Sequence, residues 1–138
     1  MSTLAEFVQE SGMLKAVVAR TDGTVLDAAG VRPGDREVLP RAASIALRLG
    51  KVVEQYEGMG TLSGVWIQYE EGLLLVQELG EEVFLIALAG PGASVGMVRY
   101  HVNRALPDLV RAYGEAPQEQ GGQDEVAFLE TGEAPGGA

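Results

Sequence analysis

The most regular hydrophobic pattern in the chain lies between Val83 and Leu106. Seven consecutive apolar residues, Val83 to Ala89, form a run that is too short to cross a membrane and is typical of a strand buried on both faces. The glycine-rich turn from Gly90 to Ser94 follows, and Ser94 is a good helix N-cap. Apolar residues then recur every three or four positions up to Leu106, which predicts an amphipathic helix. A strand buried in this way needs helices above and below its sheet.

The rest of the pattern predicts a short first helix, a hairpin, a long helix and three strands joined by tight turns. Asp22-Gly23 between two apolar stretches is the strongest hairpin signal in the chain. Pro40 is expected in the first turn of the long helix or at a kink, and Pro107 is expected to kink the last helix. The predicted elements are a helix from Ser2 or Thr3 to Glu10, strands Met13–Arg20 and Thr24–Ala29, helix Arg36–Glu57, strands Leu62–Tyr69, Leu73–Leu79 and Val83–Ala89, and helix Ser94–Tyr113.

This order predicts an α/β sandwich of the α+β kind. Consecutive hairpins make neighbouring strands antiparallel, so we expect a five-stranded, mostly antiparallel sheet flanked by helices in the order α-β-β-α-β-β-β-α.

The long helix carries three different faces when its residues are placed at 100° intervals. Its apolar stripe consists of Val38, Ala42, Ile45, Ala46, Leu49, Val52, Val53 and Tyr56. Its polar face consists of Arg41, Ser44, Arg48, Lys51 and Gln55. Its small-residue flank consists of Ala43, Leu47, Gly50 and Glu54. Gly50 is either a tolerated weak point, costing about 1 kcal/mol relative to alanine, or a place where another backbone packs closely.

Composition limits the classes of function. Hydrophobic residues make up 46% of the chain, which is enough for one core, and there is no cysteine. The net charge is −10, and residues 115–138 hold six acids and no base. We therefore predict one domain, residues 1–114, followed by an acidic, disordered tail. The acidic balance argues against nucleic acid and membrane partners, and the missing cysteine and leader favour the cytoplasm.

No pattern in the chain indicates catalysis. His101 is the only histidine, and no serine or acid is spaced to form a relay with it. The pairs Glu70-Glu71 and Glu81-Glu82 lie in predicted turns, where their charges are solvated, so a metal site is not expected. The turn Gly90–Gly96 lacks both the P-loop lysine and the GxGxxG spacing. We expect a binding protein without catalytic residues, metal or cofactor.

Two stretches of the sequence resemble motifs of the Roadblock dynein-light-chain family, and its bacterial MglB-like small-GTPase regulators in particular. One is Ala16–Gly23, an apolar strand that ends in an Asp-Gly turn, and the other is Gly90–Arg99, a PGA-S-x-G-x-x-R junction between strand and helix. The resemblance covers roughly Leu4 to Tyr113. The short first helix, the early Pro40 and the acidic tail depart from the family pattern.

The resemblance implies a homodimer joined through the long helix and the third strand, so that two sheets merge into one. The segment from Thr61 to Tyr69 agrees with this, because it contains no lysine or proline to protect an exposed edge. Trp66 is expected either at this interface or under a helix of its own subunit. The predicted dimer-interface residues are Ala43, Leu47, Gly50, Glu54, Leu62, Gly64, Trp66 and Gln68.

The resemblance also implies that a Ras-like small GTPase binds to the paired long helices. Nothing in the sequence singles out Arg48 as an arginine finger. Alternatives are a structural adaptor subunit of a larger complex and a small-ligand sensor domain. The residues expected at the partner surface are Arg36, Arg41, Ser44, Arg48, Lys51 and Gln55.

Overall fold

The computed structural model describes residues 1–114, and the acidic segment 115–138 lies outside the described residues. Within residues 1–114, three α-helices and five strands follow one another in the predicted order, and a short π-helical turn, Val110–Gly114, follows the last helix. The elements are α1 (Thr3–Ser11), β1 (Lys15–Arg20), β2 (Val25–Ala29), α2 (Asp35–Glu57), β3 (Gly64–Tyr69), β4 (Gly72–Glu78), β5 (Val83–Ala89) and α3 (Val95–Leu109).

The five strands form one sheet in the order β2-β1-β5-β4-β3, and every neighbouring pair is antiparallel. The predicted fold class is therefore confirmed. The apolar run β5 lies at the centre, between β1 and β4, and six of its seven residues are buried. The middle of β5 is paired on both sides. Ile86, for example, lies opposite Val17 of β1 and opposite Val76 of β4.

Helices cover both faces of the sheet. Because side chains alternate along a strand, β5 sends Leu85 and Ala87 toward α1 and α3, and Phe84 and Ile86 toward α2. Two apolar clusters result, one on each face, and each is continuous across β1, β5 and β4. This arrangement explains why the sequence of β5 is apolar without alternation.

Local signals fix the ends of the short elements. Ser2 caps α1, since its hydroxyl accepts a hydrogen bond from the Ala5 N–H at 3.1 Å. In the β1–β2 hairpin the Asp22 carboxylate accepts from the Thr24 N–H at 2.9 Å, and Gly23 takes a positive φ of 97°. Both prolines lie inside helices. Pro40 is buried within α2. Helix α3 continues past Pro107 and changes to π-helical geometry at Val110.

Helix α2 packs on the sheet through a different face from its widest apolar one. Its buried residues are Leu39, Pro40, Ala43, Ala46 and Leu47. Of the apolar stripe only Ala46 is buried, and its larger members point to solvent. Ala43 and Leu47 of the small-residue flank meet the sheet, together with Leu39 and Pro40.

One polar network ties both ends of the described chain to the sheet. The Tyr113 hydroxyl donates to Asp27 Oδ2 at 2.6 Å and accepts from the Leu4 N–H at 3.1 Å. Partial burial alone would raise the pKa of Asp27, but hydrogen bonds from Tyr113, Ser2 and the Ala28 N–H outweigh it, so the pKa lies below 3.8. Burial and the bond to Asp27 raise the pKa of Tyr113 above 10.0.

We expect Tyr113→Phe to lower the free energy of unfolding at pH 7 by about 1 kcal/mol, because it removes a hydrogen bond to a carboxylate. The lowered pKa of Asp27 means that this stabilisation is present above 3.8 and is lost as the pH falls through the folded-state pKa. Urea unfolding at pH 7 and at about pH 2.5 measures the effect. The difference between wild type and variant should shrink at low pH.

Tyr100→Phe is the matched control, since Tyr100 is exposed on α3 and its hydroxyl makes no hydrogen bond within residues 1–114. A destabilisation by Tyr113→Phe that is the same at both pH values would contradict the role assigned to the Asp27 carboxylate.

Candidate protein interface

The two edges of the sheet differ in how they are protected. Strand β2 carries the charged residue Asp27, and its pairing with β1 is irregular between Val18 and Ala19. Strand β3 contains no charged residue and no proline, and within residues 1–114 its outer edge has no strand partner. Charges and bulges discourage pairing at an edge, so β2 is protected and β3 is open to another strand.

The hydrogen-bond pattern defines which backbone groups of β3 point outward. The Glu78 N–H donates to the Ser63 carbonyl, and the register continues regularly to the Tyr69–Gly72 pair beside the turn. Because bonded pairs alternate in an antiparallel ladder, every second residue from Ser63 onward faces β4. The intervening residues, whose N–H and C=O groups point to the open edge, are Gly64, Trp66 and Gln68.

The apolar stripe of α2 lies next to this open edge and is itself exposed. Leu49 is 67% exposed and Tyr56 is 82% exposed, and Val38, Ile45, Val52 and Val53 are also exposed. Val53 shares a groove of about 390 Å³ with Val65 of β3, so the stripe and the edge strand adjoin. On the same face of the sheet Ile67 and Tyr69 of β3 are exposed. Such a contiguous apolar surface is typical of a protein interface.

The structure places part of the predicted interface inside the subunit. Ala43 and Leu47 are buried against the sheet, so they are not available to a second chain. Gly50 faces the side chain of Leu62, where an added Cβ would come within 2.8 Å of a Leu62 methyl. The prediction that another backbone packs closely at Gly50 is therefore not borne out, because the close contact is with a side chain of the loop before β3 in the same subunit.

Two other predicted interface residues hold the approach to β3 in place. The Glu54 carboxylate accepts a hydrogen bond from the Leu62 N–H at 2.8 Å, which ties the loop before β3 to α2. Leu62 itself packs on the α2 side of the core. These residues position the edge strand from within the subunit.

Trp66 and Gln68 lie on the opposite face of the sheet from α2. Trp66 packs on the cluster beneath α1 and α3, in line with the second of its two expected locations, and the Arg99 guanidinium lies 4.9 Å from its ring centroid. Gln68 is exposed. Gly64 is half-buried, and a Cβ there would approach the Val76 carbonyl to 2.8 Å. Only the backbones of these three residues face the open edge.

The polar face of α2 lines two grooves on the other flank of the helix. Arg36, Arg41, Ser44 and Arg48 line a groove of about 420 Å³ against the β1–β2 turn. Ser44, Arg48 and Lys51 line a second groove of about 390 Å³ against the β4–β5 turn. Five of the six predicted partner residues are thus brought together, and Gln55 lies outside both grooves.

Acidic residues from distant segments mix with these bases. Lys51 forms an ion pair with Glu78 at 3.1 Å, and Asp22 and Glu81 line the grooves. Hydrogen bonds from the backbone and side chain of Thr24 hold the pKa of Asp22 below its ordinary value. The surface is therefore of mixed charge and not basic. Periodicity along α2 gave no signal for these acids, because they come from turns of other hairpins.

A further groove in the described residues, of about 490 Å³, lies between α1 and α3. It contains His101, whose ring meets Tyr100 edge to face at 5.3 Å, together with Glu6, Glu10 and Asp108. Within residues 1–114 no cluster of histidine and acidic side chains has metal-binding geometry. No helix in that range is long and apolar enough to span a membrane.

Comparisons with known proteins agree with the fold described above. No protein-family profile matches the chain. Uncharacterized protein MJ0310 of Methanocaldococcus jannaschii is 31% identical over 111 residues, which cover 79% of this chain and 94% of that protein. A crystal structure of a Roadblock/LC7 domain from Streptomyces avermitilis superposes with a TM-score of 0.61 at 26% identity, covering 77% of this chain and 93% of that domain. The gliding protein MglB of Thermus thermophilus has the same fold, with a TM-score of 0.70 at 24% identity and coverages of 80% and 84%.

We expect Glu54→Ala to loosen the loop before β3, because it removes the acceptor of the Leu62 N–H bond. Loss of a hydrogen bond to a charged group should cost about 1–2 kcal/mol. The amide of Leu62 should exchange its hydrogen faster, which residue-resolved hydrogen exchange measures. Glu57→Ala, an exposed acid on the same helix, is the control. Equal exchange at Leu62 in the two variants would show that Glu54 does not hold this loop.

Proposed function

Because this chain belongs to the Roadblock/LC7 family, we propose that it is a non-enzymatic homodimeric platform that binds a Ras-like small GTPase. The family resemblance implies both properties, and the cytoplasm is the proposed setting. The observation that carries the proposal is the apolar stripe of α2 lying beside the open edge of β3. A protein of this fold that worked alone would expose both to water.

A second copy of the chain fits this surface better than an unrelated strand. An isologous contact requires one patch to be complementary to itself. The open edge supplies outward N–H and C=O groups from the same three residues, so two copies of β3 can satisfy each other in antiparallel pairing. The stripe of one α2 then meets the stripe of the other, and burying it contributes roughly 25 cal/mol for each Å² of apolar area.

The polar face of α2 is the proposed GTPase surface. It lies on the flank of α2 that faces the two hairpin turns, away from the groove that Val53 shares with β3. Ile45 of the apolar stripe borders it, and we propose that the arginines beyond Ile45 stay accessible in the dimer. Its mixed charges suit a partner surface that also carries both signs, and pairing of opposite charges gives specificity and faster association. Arg41 and Arg48 have no carboxylate within 4.0 Å among residues 1–114, so they are available to a partner.

We expect Leu49→Glu to weaken the dimer at least about 100-fold, or ~2.7 kcal/mol, because it places a charge in an apolar contact. The fold should be unaffected, since Leu49 is 67% exposed in the single subunit. Sedimentation equilibrium measures the dissociation constant. Met97→Glu, on the exposed surface of α3, is the matched control and should leave it unchanged. Equal dissociation constants for the two variants would remove α2 from the interface.

We expect the double change Arg41→Glu/Arg48→Glu to reduce binding of a Ras-like GTPase from the same source at least about tenfold, or ~1.4 kcal/mol. The reversed charges repel the acidic groups that the arginines would meet. Titration with GTP-loaded and GDP-loaded protein measures the change, and sedimentation should show that the dimer persists. Arg104→Glu/Arg111→Glu, at two exposed arginines outside both grooves, changes the net charge by the same amount and should bind normally.

The same titration separates the alternatives. No binding of the wild-type dimer to the GTPase in either nucleotide state would contradict the proposed function. Partner binding that is lost only on deletion of residues 115–138 would favour a structural adaptor. A raised melting temperature with a metabolite would favour a small-ligand sensor.

A further inference from the structure

We infer that the acidic segment Asp124–Glu130 docks onto the polar face of α2 in the same subunit, where its carboxylates pair with Arg41 and Arg48. The segment lies outside the described residues, and its docking depends neither on the proposed homodimer nor on the GTPase. It gives an occupant to the groove of about 420 Å³ that the polar face forms against the β1–β2 turn.

The described part of the chain ends at a fixed point close to the grooves of the polar face. Gly114 packs tightly against the β4–β5 turn, since a Cβ added to Gly80 would come within 2.7 Å of the Gly114 carbonyl oxygen. Glu81, the next residue of this turn, lines the groove that contains Arg48 and Lys51. The acidic residues after position 114 therefore start at the end of the sheet where the polar face lies.

The chain between Gly114 and the acidic segment is long enough to reach both grooves. The β1–β2 and β4–β5 turns lie side by side, because the Thr21 N–H donates to the Glu82 carbonyl at 2.9 Å. Asp124 follows Gly114 by ten residues. Ten extended residues span at most about 36 Å, which exceeds the roughly 30 Å diameter of a small domain. Because the contact is intramolecular, the tether also raises the effective concentration of the segment at the polar face.

Charge favours the groove against the β1–β2 turn. The chain after residue 114 holds six acids and no base. The arginines that line this groove, none of which has a carboxylate within 4.0 Å among residues 1–114, are Arg36, Arg41 and Arg48. Asp22 and Glu37 line it too, but the Asp22 carboxylate is held by a backbone N–H of its own turn at 2.9 Å. Three bases against two acids leave this groove with an excess of positive charge.

The groove against the β4–β5 turn suits an acidic segment less well. Its two bases, Arg48 and Lys51, are balanced by two acids, Glu78 and Glu81. Lys51 is already paired with Glu78 at 3.1 Å. An additional carboxylate would meet repulsion there, so the segment is expected on the arginines of the first groove.

The order of acidic and apolar residues in the segment matches the order of basic and apolar residues on α2. The large apolar residues after position 114, which have acids on both sides, are Val126, Phe128 and Leu129. On α2, Ile45 is 58% exposed and lies between Arg41 and Arg48 on one side of the helix. An apolar group between carboxylates therefore meets an apolar group between arginines.

The spacing allows both arginines to be used at once. Arg41 and Arg48 are about 10 Å apart along the helix axis. Glu125 and Glu130 can be up to about 18 Å apart, so each carboxylate can reach one arginine. Exposed ion pairs are individually weak and are screened by salt, so the docking is reversible.

A docked segment covers the residues that are proposed to bind the GTPase. The GTPase then has to displace the segment, so the chain carries a competitor for its own binding surface. This consequence rests on the proposed function, whereas the docking itself does not.

Disulfide formation in the full 138-residue chain tests the docking, since the sequence has no cysteine. Thr131→Cys, just after the segment, is combined with Glu37→Cys in the groove, and in a second chain with Asn103→Cys on the exposed surface of α3. At low ionic strength the disulfide within one chain should form at least about tenfold faster at position 37 than at position 103, because docking raises the local concentration.

Two triple changes in the position-37 chain separate docking from the reactivity of the cysteine itself. Asp124→Lys/Glu125→Lys/Glu130→Lys removes the carboxylates of the segment and should slow the reaction to the rate at position 103. Glu115→Lys/Glu119→Lys/Glu133→Lys is the matched control, because it changes the net charge equally outside the segment. It should leave the rate within about twofold, since a reversal outside the segment acts only through the screened general field.

Three results would overturn the docking. They are equal rates at positions 37 and 103, equal slowing by the two triple changes, and disulfides that form only between chains. Titration with the GTPase tests the competition separately, because the change at Asp124, Glu125 and Glu130 should tighten binding and the control change should not. Equal affinities would overturn the competition alone. A GTPase that binds neither chain would contradict the proposed function and leave the disulfide result in force.

Discussion

The close approach of α2 to the sheet determines most of what this subunit presents to other molecules. Ala43 and Leu47 bring the helix down onto β1, β4 and β5, so the larger apolar residues of the apolar stripe are left outside. The same approach brings Gly50 and Glu54 against the loop that leads into β3 and fixes the start of that strand. The packing of α2 on the sheet thus leaves an exposed hydrophobic helix face next to an open sheet edge.

The two flanks of α2 differ in chemistry, and we propose a different binding role for each. The flank toward β3 is apolar and is proposed to join two subunits, while the flank toward the hairpin turns is polar and is proposed to receive a GTPase. The two flanks adjoin at Ile45, which belongs to the apolar stripe and also lines the groove against the β1–β2 turn. A platform of this kind would contribute positioned side chains and no chemistry of its own.

Sequence patterns predicted the elements well and the role of α2 poorly. The apolar run of β5, the Asp22-Gly23 turn and the Ser94 cap are local signals, and each appears where it was predicted. Periodicity located both apolar faces of α2, but it does not encode which face meets the sheet. That choice depends on how closely the two surfaces can pack once the sheet has formed, and the face that packs contains Leu39, Ala43 and Leu47. Likewise, no local pattern brings Asp22 and Glu81 to the arginines of α2, because these residues meet only after the hairpins fold.

The most direct test of the central claim is amide hydrogen exchange along β3, followed from high to low protein concentration. Val65 and Ile67 donate toward β4 within the subunit, so their amides should stay protected at every concentration. Gly64, Trp66 and Gln68 point to the open edge, so their amides should be protected in concentrated samples and should exchange faster on dilution, as the dimer dissociates. Fast exchange of these three amides at all concentrations would mean that no second copy covers the edge, and the account of this protein as a homodimeric platform would be wrong.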